Sequence, residues 1–213
     1  MKIIEPSFEL VTPASREEGV QSLRFIERMA RISHRSESRQ TKDTWEPFLK
    51  AVVIGHGDWS VCEHQSATVI FRVDRGTTHE LVRHRLCSFT QESTRFVRYT
   101  DDIEFIMPSG GYILAMDVVF SDAERNYKHL LDAGYTPQIA RSVLPNALAS
   151  TLAVTSNLRN WRWFFQARTT KEAHPDCKRV VVPLLAEFQK RIPLLYDDIV
   201  PEEKQSISMA KVH

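Results

Sequence analysis

Arg83-His84-Arg85-Leu86-Cys87-Ser88-Phe89-Thr90-Gln91-Glu92-Ser93-Thr94-Arg95-Phe96-Val97-Arg98 is the stretch around which the 213-residue chain is organised. It sets four arginines against one acid, Glu92, in a chain whose formal net charge is only +1. A cationic cluster in a nearly neutral chain points to a local anion rather than a generally basic surface. Arginine suits phosphate, because its planar guanidinium donates hydrogen bonds in pairs. The plain alternative is a solvated face whose arginines meet acids elsewhere. The interleaved His84, Ser88, Thr90, Gln91 and Ser93 favour the ligand, since uncharged donors and acceptors orient what the charge attracts.

Just before this stretch, Ala67, Val69, Phe71 and Val73 alternate with Thr68, Ile70 and Arg72, the period of a half-buried strand. Gly76 ends it in this reading. Thr77-x-x-Glu80 then forms a capping box for a short helix running into Arg83. Neighbouring side chains on a helix diverge by about 100°. Arg83, His84 and Arg85 therefore serve different parts of a large ligand or neighbouring subunits, or else the helix ends among them. Beyond the stretch, Ile103, Phe105 and Met107 predict a strand closed by Pro108-Ser109-Gly110-Gly111. Val119 to Leu131 predict a helix stopped at Gly134, and Thr136-Pro137 opens another before Pro145. Thr151 to Ser156 read as a strand, and Asn157 caps a helix bearing Leu158, Trp161, Phe164, Phe165 and Arg168.

The outer segments are helical. Ser15-x-x-Glu18 caps a helix over about 17–33, a polar loop fills 33–43, and a second helix from Asp43 or Thr44 stops at Gly55 and Gly57. Pro175 begins a last long helix, kinked at Pro183. From residue 201 the tail is expected to fray. Strands and helices mix without strict β-α-β alternation and without a linker, so the expectation is one α+β domain over residues 1–213.

Composition excludes several classes. At 42% hydrophobic and 26% charged, the chain has the make-up of a soluble globular protein, and no apolar run approaches the ~20 residues of a membrane helix. The three cysteines form no C-x-x-C, so a reduced, cytoplasmic protein is expected. The eight histidines show no metal-ligand spacing, and the seven glycines form neither G-x-G-x-x-G nor a P-loop. Ser93 lacks a G-x-S-x-G elbow and an adjacent base, which makes it a contact rather than a nucleophile. An RNA- or single-stranded-DNA-binding module is the rival from another class, and the near-neutral charge counts against it.

Arg83-His84-Arg85, seven residues, then Ser93 resembles the signature of the flavin-dependent thymidylate synthases (ThyX). Ser60-x-x-Glu63-His64, Arg95, Ala140-Arg141-x-x-Leu144-Pro145, Thr155-x-Asn157-x-Arg159, Phe164, Arg168 and Ala173 match further family positions, in order, between Ser60 and Lys178. The resemblance implies an α+β fold with a mostly antiparallel sheet packed by helices, plus a helical part. It implies reductive methylation of dUMP to dTMP, with methylenetetrahydrofolate giving the carbon and FAD the reducing equivalents, recharged by NADPH. It also implies a homotetramer with shared active sites, and neither membrane nor nucleic acid as a partner. By the same resemblance, FAD contacts fall on Ser60, Arg83, His84, Arg85, Gln91, Asn157, Leu158 and Arg159. Those to dUMP fall on Glu80, Leu81, Val82, Arg83, Gln91, Glu92, Ser93, Thr94, Arg95, Arg141 and Arg168. Arg168 is the catalytic residue, favouring ionisation of the uracil ring, and no metal is implied. The chain departs from the family pattern at Asp58, Glu80, Gln91, Trp163 and His174-Pro175-Asp176. A non-catalytic relative that keeps the fold is the alternative within the family.

Overall fold

A computed structural model of the chain describes residues 1–111 and 114–202; all but the first two residues of the tail expected to fray lie outside them. In chain order the elements are β1 (Lys2–Ile4), β2 (Ser7–Thr12), α1 (Arg16–Ile32), α2 (Trp45–Leu49), β3 (Ser66–Asp74) and α3 (Arg75–Leu81). There follow β4 (Ser88–Gln91), β5 (Glu104–Ile106), α4 (Leu114–Asp132), α5 (Pro137–Ala140), β6 (Ala149–Asn157), α6 (Leu158–Arg168) and α7 (Pro175–Arg191). The chain forms two compact units, each assembled from two segments: Met1–Thr12 with Ala67–Ser156, and Pro13–Ser66 with the residues from Asn157 on.

The first unit holds the sheets. Four strands lie in the order β2-β3-β6-β4, and β1 pairs separately with β5 in parallel. β2 runs antiparallel to β3, and β4 antiparallel to β6 with Ser88 opposite Thr155. Thr68, early in β3, hydrogen-bonds Thr155, late in β6, while Arg72 reaches Thr151 at β6's start. The two central strands therefore also run oppositely, and the expected mostly antiparallel α+β arrangement is what is found. One face of β3 is fully apolar, with Ala67, Val69, Phe71 and Val73 all buried. A second apolar cluster joins Ile103, Phe105 and Met107 to Phe120, Ala123, Tyr127 and Leu131 of α4, with Phe105 and Phe120 stacked at 4.9 Å.

The second unit is helical. Its core centres on Trp161, Phe164 and Phe165 of α6, Phe188 of α7 and Tyr196, with ring centroids 4.9–5.9 Å apart. The Tyr196 hydroxyl donates to the Leu158 carbonyl, satisfying its one buried polar group. Gly19 is required where α1 meets the end of α7: a Cβ there would lie 1.8 Å from the Arg191 carbonyl oxygen.

Several local expectations change. The Ser15 cap is present, its Oγ accepting from Glu18 N at 3.2 Å. The cap of α3 is Asp74 rather than Thr77: the Asp74 carboxylate accepts from Thr77 N at 2.8 Å and from the Thr77 hydroxyl at 2.6 Å. A carboxylate outcompetes a hydroxyl for a helix's first amides, so α3 starts earlier and Gly76 lies inside it. α2 passes into a π-helical turn, Lys50–Gly55, so Gly55 does not stop it; Gly57, at φ +84°, does. α7 continues through Pro183 to Arg191.

Candidate functional site

The first unit gathers most of the implied nucleotide contacts. α3 ends at Leu81, so Arg83, His84 and Arg85 lie in a loop and not on a helix, which resolves the open alternative. His84 is buried, while Arg83 and Arg85 are exposed on either side of it. Leu86 follows at φ +66°, a left-handed conformation that costs a leucine energy and recurs at functional loops. β4 then emerges at Ser88. Sequence reasoning missed this strand inside the key stretch.

From the end of β4 onward, each side chain of 91–95 has a definite task. Gln91 Nε2 donates to Thr78 Oγ1 at 3.0 Å and Ser150 Oγ at 3.2 Å, tying β4 to α3 and β6. Glu92 accepts from Arg72 Nη1 at 2.8 Å and from the Tyr99 hydroxyl at 2.5 Å. Arg72 extends the network to Glu104 at 2.8 Å. Burial opposes its charge, yet hydrogen bonds to Glu104 and the charge of Glu92 raise the Arg72 guanidinium above its ordinary value. Burial first, then Glu92, raises the Tyr99 phenol, so it stays a donor. Glu92's carboxylate is thus engaged as a brace for the loop. Ser93 Oγ accepts from Arg95 N at 3.3 Å and shapes the turn.

That turn opens on a pocket of about 420 Å³ lined by Arg75, Thr94, Gln138, Arg141, Ser142 and Leu144, among others. Arg141 Nη1 donates to Thr94 Oγ1 at 3.1 Å, and Arg95 Nε donates to Gln138 at 2.7 Å. Two guanidinium groups and two hydroxyls, of Thr94 and Ser142, converging on one cleft make a phosphate-binding chemistry. Arg75, Gln138 and Ser142 were not foreseen. Thr78, Ser150, Arg72 and Tyr99 were missed too, and nothing in their local sequence marks them.

Ser60, Asn157, Leu158, Arg159 and Arg168 belong to the second unit. Ser60 sits in a 3₁₀ turn, Trp59–His64, and lines a pocket of about 980 Å³. Asn157 caps α6, its Oδ1 accepting from Asn160 N at 2.8 Å. Buried Leu158 anchors the same turn through its amide to the Gln65 carbonyl at 2.9 Å. Arg159 pairs with Glu63 at 2.5 Å. Arg168 is the half-buried last residue of α6. Arg162 lies 4.3 Å above the Trp59 ring, a cation–aromatic contact. No cluster of potential metal ligands occurs among the described residues, and no helix there is long and apolar enough to cross a membrane.

A family model described as thymidylate synthase complementing protein matches residues 18–194. The chain is 30% identical over 191 residues to the flavin-dependent thymidylate synthase of Saccharolobus solfataricus, spanning 83% of this chain and 73% of that one. It is 32% identical over 198 residues to the enzyme of the same name from Mycobacteroides abscessus, spanning 82% and 78%. A crystal structure of the UMP/dUMP methylase PolB from Streptomyces cacaoi, bound with 5-Br dUMP, shares the fold. Its TM-score is 0.76 at 24% identity, over 92% of this chain and 95% of that one. Because the family match runs through both units and takes in both the Arg83–Ser93 signature and Arg168, the chain belongs to the flavin-dependent thymidylate synthase family.

Proposed function

We propose that the protein methylates dUMP to dTMP, taking the carbon from methylenetetrahydrofolate and the reducing equivalents from FAD that NADPH recharges. The observation that carries this reading is the convergence of Thr94, Arg95's partner Gln138, and Arg141 on one polar cleft beside the signature serine. In this reading the cleft takes the dUMP phosphate, with Arg141 and the Ser93–Arg95 turn as its contacts. Glu80 to Arg83 and Gln91 hold the rest of the nucleotide, and Glu92 acts by bracing the turn.

Each unit carries donors suited to part of a flavin dinucleotide: exposed Arg83 and Arg85 of the first for a diphosphate, and, in the second, the Ser60 hydroxyl and the Asn157 amide with Arg159. Bound and reduced, the flavin would supply two electrons as hydride. On that chemistry the folate methylene would bond to C5 of uracil as its two C–N bonds break, hydride would complete the methyl group, and the C5 proton with one proton from the reduced flavin would end on the folate nitrogens. Tetrahydrofolate and oxidised flavin are the other products. Arg168 is assigned the activating role, because a guanidinium keeps its proton near neutral pH and stabilises negative charge developing on the uracil ring. Proposed alongside is a homotetramer with shared sites, one folded domain per chain, and a cytoplasmic location.

The test is anaerobic oxidation of the reduced, flavin-loaded protein by dUMP plus methylenetetrahydrofolate, with dTMP measured. Arg168→Ala should retain the flavin spectrum and lose about 10²–10³ in kcat, the usual consequence of deleting one charge-stabilising donor. Colourless protein that refuses added FAD would refute the cofactor reading, and normal turnover by Arg168→Ala would refute the role of that arginine.

A further inference from the structure

A pocket of the helical unit, about 980 Å³, has an electrostatic character that the assigned contacts do not use. Ser60 is the one residue of the implied flavin set that lines it. Around it stand Arg31, Arg35, Arg39, His34 and His56, against a single acid, Asp58.

Arg31 is internally compensated. Its guanidinium meets buried Glu27 at 2.7 and 2.8 Å and lies 4.3 Å over the Phe48 ring. Arg35 and Arg39 are exposed at the pocket, and among the described residues neither makes an ion pair. A helix-terminal cation is ordinarily explained by the negative end of the helix dipole. That accounts for Arg31, in the last turn of α1, but not for Arg39, which lies beyond it in its own 3₁₀ turn, Glu37–Arg39.

The loop that carries the two arginines is fixed. Arg35 is held at φ +46°, where glycine is usual, and its amide bonds the Ile32 carbonyl at 3.1 Å. Ser36 N bonds the Arg31 carbonyl at 3.1 Å. Gln40, just past Arg39, donates to the Arg24 carbonyl at 2.8 Å and to Glu27 at 3.2 Å. Two uncompensated cations on a pinned loop are pre-organised, so an anion meeting them forfeits little chain entropy.

We infer that this pocket is an anion subsite in which Arg35 and Arg39 hold the negatively charged tail of a co-substrate. The shared chemistry is a chain bearing more than one carboxylate or phosphate, supplied by the glutamates of a folate or by the phosphates of a nicotinamide dinucleotide. The inference rests on the proposed function for the nature of the co-substrate.

The experiment measures binding rather than turnover. Flavin-loaded protein is titrated calorimetrically with pteroyltriglutamate against pteroylmonoglutamate, and with NADPH against NADH. The expected result is that the more highly charged member of one pair binds about tenfold more tightly, equivalent to about 1.4 kcal/mol. Arg35→Ala/Arg39→Ala should abolish the difference and Arg35→Lys/Arg39→Lys should restore most of it, with melting curves confirming that each variant folds. Loss within the folate pair assigns carboxylates, and loss within the nicotinamide pair assigns phosphates. Equal affinities in both pairs, or a preference that survives the double alanine variant, overturns the proposal. Failure of the proposed function would register separately, as absent dTMP in the flavin oxidation assay, which the titration does not need.

Discussion

Glu27→Ala is the substitution whose cost the structure specifies most fully. Glu27 has no exposure, and its carboxylate receives Arg31 Nε at 2.8 Å, Arg31 Nη2 at 2.7 Å and Gln40 Nε2 at 3.2 Å. Arg31 is itself only 8% exposed, so it cannot turn to water when its partner goes. Removing one member of a buried pair costs about 3–5 kcal/mol, because the remaining charge stays desolvated without compensation. At roughly 2–4 °C per kcal/mol for a chain of this size, Tm should fall by about 6–20 °C in a calorimetric scan. Replacing both partners by Glu27→Met/Arg31→Met should recover most of that loss, since an apolar pair has no charge to strand. A shift under about 2 °C for Glu27→Ala would refute the reasoning, as would a double variant as unstable as the single one. Because Glu27 also anchors Gln40, the single variant should loosen the loop bearing Arg35 and Arg39 and weaken anion binding beyond its effect on Tm.

Asp74→Ala removes the α3 cap and should cost about 0.5–2 kcal/mol in urea unfolding. It should also raise the KM for dUMP, because α3 leads directly into Arg83; an unchanged KM would separate the cap from the site. Acid should weaken the Arg72 network. The hydrogen bond from Arg72 is the main cause holding the Glu104 carboxyl below its ordinary value of 4.5. The stabilisation is therefore complete above that value and is lost as pH falls through the lower, folded-state one. The urea midpoint of Arg72→Met should lie below wild type at pH 7, with the gap closing between about pH 5 and 3. A gap independent of pH would mean that Arg72 acts through packing alone.

What the sequence disclosed followed the strength of each local signal. β3 was legible because four alternating apolar residues face one buried side. The start of α1 was legible because Ser15 and Glu18 stand at the spacing that caps a helix. β4 was hidden because Ser88, Phe89, Thr90 and Gln91 carry no apolar alternation; it is a strand by virtue of its pairing with β6 at the end of the sheet. The cap of α3 was misassigned because Thr77 and Glu80 complete a capping box, while Asp74 reads as the end of the β3 pattern and only the folded chain shows its carboxylate on the Thr77 amide. At the site, the Arg-rich stretch announced an anion, but the groups that hold its polar residues come from far away. Gln91 is positioned by Ser150 and Glu92 by Thr151, each 59 residues on. Such partners are set by strand register and become visible only after the sheet is assembled.

One chemical question remains sharp: whether the chain supplies a nucleophile of its own to attack the uracil ring. Ser93 accepts an amide hydrogen bond within its turn, the geometry of a residue that shapes backbone. Cys62 is fully buried, and burial pushes its thiol up to about 12, so almost no thiolate exists near neutral pH. Cys177 is buried as well. Cys87 is the remaining thiol, half-buried in the loop after Arg85, with its Sγ 3.9 Å from the Arg85 carbonyl oxygen. A route in which hydride completes the methyl group needs no covalent bond to the protein, whereas a thiolate route would have to use Cys87. Cys87→Ser therefore divides the two. Under the hydride route it should keep kcat within about threefold of wild type, since a hydroxyl replaces the thiol at little cost in volume. A loss of about 10³ or more with the flavin still bound would place the nucleophile at Cys87 and remove the need for Arg168 as sole activator.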